Sequence, residues 1–154
     1  MIIVPDHTRE VRMSTLIGKL KTLFLSSAAL SPLERSICDA AASTLPANLA
    51  ELWKKQLNAI NRIHRSPDKR EVNFFVIRKG QSNFPDELCF KNRSEFKIAV
   101  VDLKASGNKA NLRARLWCVH GHFFSIEYKT SFREFEEAAH GGWQITCHIE
   151  TLPV

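Results

Sequence analysis

Apolar side chains recur at three-to-four spacing through the first part of the chain, which predicts amphipathic helices. The first helix is predicted over residues 14–24. The second opens at Ser31, where Ser31 and Glu34 supply the two halves of a capping box. It should end before Pro46, because a residue that precedes proline avoids the helical conformation. Pro46 starts the third and longest helix, which is expected to reach about His64.

After Glu71 the pattern changes to alternation with a period of two, which predicts strands. The predicted strands cover residues 72–78, 96–103, 111–120, 123–129 and 143–150. Residues 79–95 are predicted to form a long loop, residues 120–122 a tight hairpin link, and Ser131 the start of a short helix. The predicted fold class is α+β: about three N-terminal helices packed on a mostly antiparallel sheet of about five strands, with one short helix before the last strand. Residues 1–154 are expected to form a single domain.

Composition narrows the class of protein. The chain is 44% hydrophobic and 25% charged and has ten Phe and three Trp, which is typical of a globular protein with a hydrophobic core. Its six scattered glycines spell neither a P-loop nor a dinucleotide fingerprint, so no cofactor is expected. No apolar run is long enough to span a membrane. The four cysteines form no C-x-x-C pair, which favours reduced thiols and a cytoplasmic protein.

Positive charge is concentrated in the middle of the sequence. Residues 54–115 carry fifteen basic and six acidic side chains, a net charge of +9, whereas residues 116–154 carry a net charge of −3. Such asymmetry suits a phosphate-bearing ligand, a nucleic acid or an acidic protein partner. The candidate binding residues at the predicted end of the long helix and in the following turn are Arg62, Arg65, Lys69 and Arg70.

A second basic group lies in the strand predicted over residues 111–120. Arg113 and Arg115 alternate on one face with Trp117. Arginine beside an exposed aromatic ring is what a sheet surface uses to hold phosphates and stack bases. A Trp117 buried against a helix would instead leave the two arginines on an ordinary solvated edge. No RNA-binding signature, helix-turn-helix spacing or zinc-finger pattern accompanies them.

Glu127 is predicted to lie on the strand face opposite Phe124, Ile126 and Tyr128. In a pocket it would be the natural acid or base. On a solvated face it would pair across strands with an arginine such as Arg113 or Arg115. We favour the second interpretation, because antiparallel sheets often have one face in water.

Thiols and imidazoles are grouped near the predicted hairpin and in the last strand. Cys118 and His120 could share a strand face, and His122, Cys147 and His148 are the other members of the group. Zinc binding or a Cys–His nucleophile oriented by Glu127 could be built from them. No zinc-ligand spacing is matched, and His122 lies beyond the turn. We therefore assign no metal ligand and no catalytic residue.

Two classes of binding protein and one class of enzyme fit these patterns. We expect a small non-enzymatic protein, an adaptor or an immunity-type protein, that binds another protein through a charged face. The alternative is a nucleic-acid-binding domain that uses the basic residues 54–115. The second alternative is a small enzyme that works through Glu127 or a Cys/His site. No membrane association is expected, and the patterns leave the oligomeric state open.

Overall fold

The computed structural model describes residues 29–154, so the helix predicted over residues 14–24 lies outside the described residues. Helix α1 spans Pro32–Thr44. The Ser31 hydroxyl accepts a hydrogen bond from the Glu34 backbone N–H, and the Glu34 carboxylate accepts one from the Ser31 N–H. This capping box was predicted, and so was the end of the helix before Pro46.

Helix α2 spans Ala47–Ala59 and ends five residues earlier than predicted. The extension to His64 was wrong, because residues Arg62–Arg65 form strand β1 instead. Asn61 makes the change of direction: its backbone N–H donates to the Phe75 carbonyl, and its side chain exchanges two hydrogen bonds with the backbone of Ile77. Arg62 and Arg65 therefore do not lie at a helix C-terminus.

Besides β1, the main sheet formed by the described residues contains β2 (Glu71–Phe75), β5 (Phe96–Ala105), β6 (Asn111–Val119), β7 (His122–Tyr128) and β8 (Trp143–Ile149). These six strands are antiparallel to their neighbours and lie in the order β1-β2-β7-β6-β5-β8. Helix α3 (Phe132–Ala138) precedes β8, as predicted. The α+β class is confirmed, with six strands in the sheet instead of about five because β1 replaces the predicted end of α2.

The region predicted as one strand and one long loop is divided differently. The strand predicted over residues 72–78 breaks at Val76, and strand β3 (Ile77–Arg78) pairs with β4 (Gln81–Ser82) in a small separate sheet. A 3-10 helix follows at Asp86–Leu88. The segment 79–95 is thus only partly a loop.

One face of the main sheet, the helix-covered face, packs against α1 and α2 and contributes Val72, Phe74, Leu116 and Ile126 to the main hydrophobic core. The opposite face is called the second face below. The register between β6 and β7 shifts between Trp117 and Cys118. This bulge moves Phe124 away from the main core into a small cluster with Phe75 and Val119 on the second face. The expectation that Phe124 shares a face with Ile126 was therefore wrong.

The β6–β7 hairpin closes through a two-residue turn, His120-Gly121, between the paired residues Val119 and His122. Both turn residues have positive φ, 54° and 86°, as a tight hairpin with the twist of its strands requires. Among the helices of residues 29–154, none is long and apolar enough to cross a membrane.

Candidate binding surface on the second face of the sheet

Three of the predicted site residues share the second face, as their alternation in β6 predicted. Arg113 and Arg115 are exposed there, whereas Trp117 is only 7% exposed. Glu127 on β7 lies directly opposite Arg115 across the strand pair, and Glu71 on β2 lies on its other side. The sheet thus places an arginine and two glutamates in one row.

Arg113 is fixed by a neighbour on β5. Its guanidinium donates two hydrogen bonds to the Asp102 carboxylate, at 2.8 and 3.1 Å, and this contact raises the pKa of Arg113. The two-point geometry restricts the guanidinium plane. About half of each side chain remains exposed, so the pair offers both signs of charge to a partner.

Arg70 and Lys129 extend the positive charge from Arg113 toward the β1–β2 turn. The Lys129 backbone N–H donates to the Arg113 carbonyl, and the Arg70 guanidinium donates to the Lys129 carbonyl at 2.5 Å. Both side chains are exposed. We call Arg70, Arg113, Arg115 and Lys129 the basic cluster. Lys129 was missed from the sequence because the β6–β7 bulge shifts the register of the predicted hairpin by one residue and so brings Lys129 opposite Arg113.

The other predicted basic residues lie elsewhere. Arg62 is exposed at the start of the edge strand β1 and donates to the Asn61 carbonyl. Lys69 occupies the β1–β2 turn with φ of 59°, and its carbonyl accepts from the Phe132 N–H. The four residues predicted to cluster at the end of the long helix are therefore divided among a strand and the turn that follows it.

Arg65 points toward α1 and makes a structural ion pair. Its Nε and Nη2 atoms each lie 2.7 Å from a carboxylate oxygen of Glu34, whose side chain is 2% exposed. This hydrogen-bonded carboxylate raises the pKa of Arg65. Because the guanidinium is committed to α1, Arg65 belongs to the packing of the helix on the sheet.

A row of residues with polar side-chain atoms, buried except for the partly exposed His64, crosses the centre of the second face. His64, Asn73, Ser125 and Trp117 are cross-strand neighbours in β1, β2, β7 and β6. Asn73 is 2% exposed and donates from its amide to the Glu71 carboxylate at 3.0 Å. Asn73, Ser125 and Glu71 were not among the residues predicted from the sequence. Polar residues at every second position of β2 and β7 were the available signal.

A depression of about 380 Å³ lies beside Asp102, between the β5–β6 turn and β8. The side chains that line it include Lys104, Lys109, Gln144 and Thr146. The second face is thus neither flat nor deeply hollowed at this end. Two lysines at its wall would suit an acidic side chain.

The Cys–His group is separated by the fold. Cys118 is fully buried on the helix-covered face, and burial raises the pKa of its thiol. His120 is exposed in the turn, while His122 is buried and stacks on Phe84 with ring centroids 4.1 Å apart. Burial lowers the pKa of His122 to about 4. Cys147 and His148 are adjacent in β8 and so point to opposite faces.

Within residues 29–154, no three His, Cys, Asp or Glu side chains come together in a geometry that could hold a metal ion. Comparisons with protein-family models, with curated proteins and with solved structures each found no match.

Proposed function

We propose that this chain is a non-enzymatic binding protein, an adaptor or an immunity-type protein, that binds an acidic surface of another protein through the basic cluster and the adjoining depression. The observation that carries the proposal is the placement of exposed Arg113 and Arg115 on β6 beside exposed Lys129, which directly follows β7. Strands hold side chains more rigidly than loops do, so a partner meets a preformed charge pattern.

The mixture of charges favours a protein partner over a nucleic acid. Asp102 and Glu127 lie within the same rows as Arg113 and Arg115. A polyphosphate chain would meet repulsion from these carboxylates, whereas a protein surface of mixed sign can match both. Trp117 is 7% exposed and does not present its ring for base stacking. The aromatic part of the nucleic-acid alternative is thereby weakened.

The depression supplies a second point of contact. Lys104 and Lys109 line its wall, and Asp102 joins it to the basic cluster. An aspartate or glutamate of the partner could enter there while the basic cluster contacts neighbouring carboxylates. A few anchoring contacts of this kind dominate the affinity of most protein interfaces.

The test compares capture from the native host by three forms of the protein. The cluster variant carries Arg115→Glu and Lys129→Glu, and the matched control carries Arg78→Glu and Lys79→Glu in the exposed β3–β4 hairpin, with the same change of charge. Wild type and control should retain the same partner protein. The cluster variant should lose it, and the purified pair should bind at least about tenfold more weakly. Equal capture by all three forms contradicts the proposal.

Fluorescence anisotropy with labelled single-stranded RNA and duplex DNA tests the alternative that the partner is a nucleic acid. We expect no binding at about 50 mM salt. Binding that weakens steeply by about 200 mM salt and disappears in the cluster variant would replace the protein partner with a nucleic acid.

A further inference from the structure

The outer edge of β8 carries a row of backbone groups that face away from the sheet. The Ser106 N–H donates to the Gly142 carbonyl, and the Glu150 N–H donates to the Ile98 carbonyl. In an antiparallel pair every second residue bonds to the neighbouring strand, so the residues of this segment that bond to β5 are Gly142, Glu150 and every second residue between them. The residues whose backbone N–H and C=O groups point outward are Trp143, Ile145, Cys147 and Ile149.

No other residue within 29–154 hydrogen-bonds to these outward groups. Sheet edges of this kind are usually protected by charges, proline, bulges or short length. Strand β8 has seven residues, Trp143–Ile149, and contains no Lys, Arg, Asp, Glu or Pro. Its register with β5 runs without a shift from Trp143 to Ile149. The opposite edge, β1, has four residues of which two are arginines.

We propose that β8 pairs with β8 of a second copy of this chain, antiparallel about a two-fold axis at Thr146. In this register Ile145 faces Cys147 of the second copy, and Trp143 faces its Ile149. All four such pairs join residues whose backbone groups point outward, so each pair can exchange two hydrogen bonds. The two six-stranded sheets then form one continuous sheet, in which both β8 edges are buried.

The side chains of β8 are complementary to themselves in this register. On the helix-covered face, Trp143 and Ile145 meet Ile149 and Cys147 of the second copy, so apolar groups meet apolar groups. On the second face, Thr146 meets its own symmetry mate and Gln144 meets His148. No carboxylate or ammonium faces another, and Glu150 is already paired with Lys97 at 3.1 Å.

The same sequence argues for a second copy over a charged peptide. A charged segment would find no opposite charge along β8 to balance the loss of its hydration. A second copy brings the same uncharged strand and an isologous contact, which closes after two subunits.

The first experiment measures mass in solution. Sedimentation velocity of the wild-type chain should give a dimer at micromolar concentration. Thr146→Lys places two ammonium groups opposite each other at the axis and should give a folded monomer, with a circular dichroism spectrum like that of the wild type. Asn111→Lys, which adds the same charge at an exposed site on β6, should remain dimeric. A wild type that stays monomeric, or a dimer unaffected by Thr146→Lys, overturns the proposal.

A disulfide trap tests the register without depending on a destabilising charge. In a background of Cys89→Ser and Cys147→Ser, Thr146→Cys should form a covalent dimer on oxidation, because Cα atoms of such a facing pair lie about 4.5 Å apart. Gln144→Cys is the matched control. In the proposed register, residue 144 faces residue 148 of the second copy, so the two introduced cysteines lie four residues apart along the strands, roughly 13 Å. The Gln144→Cys variant should therefore stay monomeric on a gel run without reducing agent. Equal crosslinking of both variants would show that the disulfides form by random collision, and this would overturn the proposed register.

Amide hydrogen exchange tests the alternative that a segment of the same chain, and not a second copy, pairs with the edge of β8. The outward amides of Ile145 and Cys147 should exchange slowly in the dimer and quickly in Thr146→Lys. Slow exchange of these amides in a monomeric wild type would assign the edge to an intramolecular strand and overturn the proposal.

Discussion

Gln56 on α2 is hydrogen-bonded to Phe123 on β7, with the Phe123 backbone N–H 3.0 Å from the glutamine side-chain oxygen. The amide nitrogen of the same side chain donates to the carbonyls of Leu88 and Gly121, at 2.7 and 3.1 Å. Gln56 is fully buried. One side chain therefore satisfies backbone groups of the hairpin and of the 3-10 segment and joins both to the helix.

Replacing Gln56 by Leu should lower the free energy of unfolding by about 3 kcal/mol, because the Phe123 N–H and the Leu88 carbonyl lose this partner, while the Gly121 carbonyl keeps the Phe90 N–H. Urea unfolding followed by circular dichroism measures the loss. Asn58→Leu, at an exposed position of the same helix, should change stability by less than about 0.5 kcal/mol. A similar loss in both variants would show that the buried hydrogen bonds are not the cause.

Two glycines in turns allow the cost of a left-handed backbone to be measured separately from the cost of a steric clash. Gly107 and Gly121 have φ of 85° and 86°. A Cβ added at Gly107 would meet nothing within 4 Å, whereas one at Gly121 would lie 2.9 Å from the Phe90 carbonyl oxygen. Gly107→Ala should cost about 1–2 kcal/mol, the penalty of the left-handed conformation alone. Gly121→Ala should cost clearly more in thermal or urea unfolding, and equal losses would contradict the collision.

For the Glu34–Arg65 ion pair, we expect removal of the arginine alone to be more destabilising than removal of both charges. Arg65→Met leaves the buried Glu34 carboxylate without its guanidinium and should destabilise the fold by about 3 kcal/mol. The double variant Glu34→Gln with Arg65→Met should recover part of that loss, because no buried charge then remains unbalanced. Arg62→Met, at an exposed neighbouring position, should be nearly neutral. The three unfolding free energies are compared in urea, and a double variant less stable than Arg65→Met alone would refute the explanation.

The thiols should react in the order of their burial. Cys38 and Cys118 are fully buried, and burial raises the pKa of both, so they are neutral and shielded. Cys89 is partly exposed, and its pKa is also raised, chiefly by partial burial. Iodoacetamide labelling with peptide mass spectrometry should modify Cys89 in the native protein and the two buried thiols only on unfolding. Early labelling of Cys118 would reopen the Cys–His hypothesis.

Local chemistry was sufficient to predict α1 but not the end of α2. The capping box at Ser31 and the break at Pro46 are set by residues within a few positions of one another. Ile60 and Ile63 fit a helical stripe equally well, and only the pairing of β1 with β2 decides that residues 62–65 are extended. Strand β2 is itself held on its other side by β7, from a distant part of the chain, and that pairing leaves no mark in the local pattern.

The same limit applies to the candidate surface. Alternation in β6 was enough to place Arg113, Arg115 and Trp117 on one face. The burial of Trp117 depends on the order of the strands, and the position of Lys129 opposite Arg113 depends on the register shift between β6 and β7. The β6–β7 bulge, which moved Phe124 to the second face, has no signature in the alternation it interrupts. Residue type predicted the chemistry available, and strand order determined where it is presented.

His122 should make stability depend on pH in a defined window. Its ring stacks on Phe84, with 4° between the ring planes, and its Nδ1 lies 3.1 Å from the Phe123 carbonyl oxygen. Burial lowers the pKa of this imidazole from 6.5 to about 4, so the folded protein resists its protonation. The unfolded chain takes up this proton near pH 6.5. The stabilising contribution is therefore complete above pH 6.5 and falls as the pH drops toward 4, by about 3 kcal/mol in all.

Urea unfolding between pH 7 and 5 measures this loss, and NMR titration of the His122 ring should show no protonation in the folded protein until about pH 4. His122→Phe keeps an aromatic ring against Phe84 and removes the titrating group, so its stability should fall less over the same range. His140→Gln, at an exposed position after α3, should keep the wild-type profile. A His122 ring that titrates near pH 6.5 in the folded protein would contradict the assignment, because burial that resists protonation must depress the pKa of the group it surrounds.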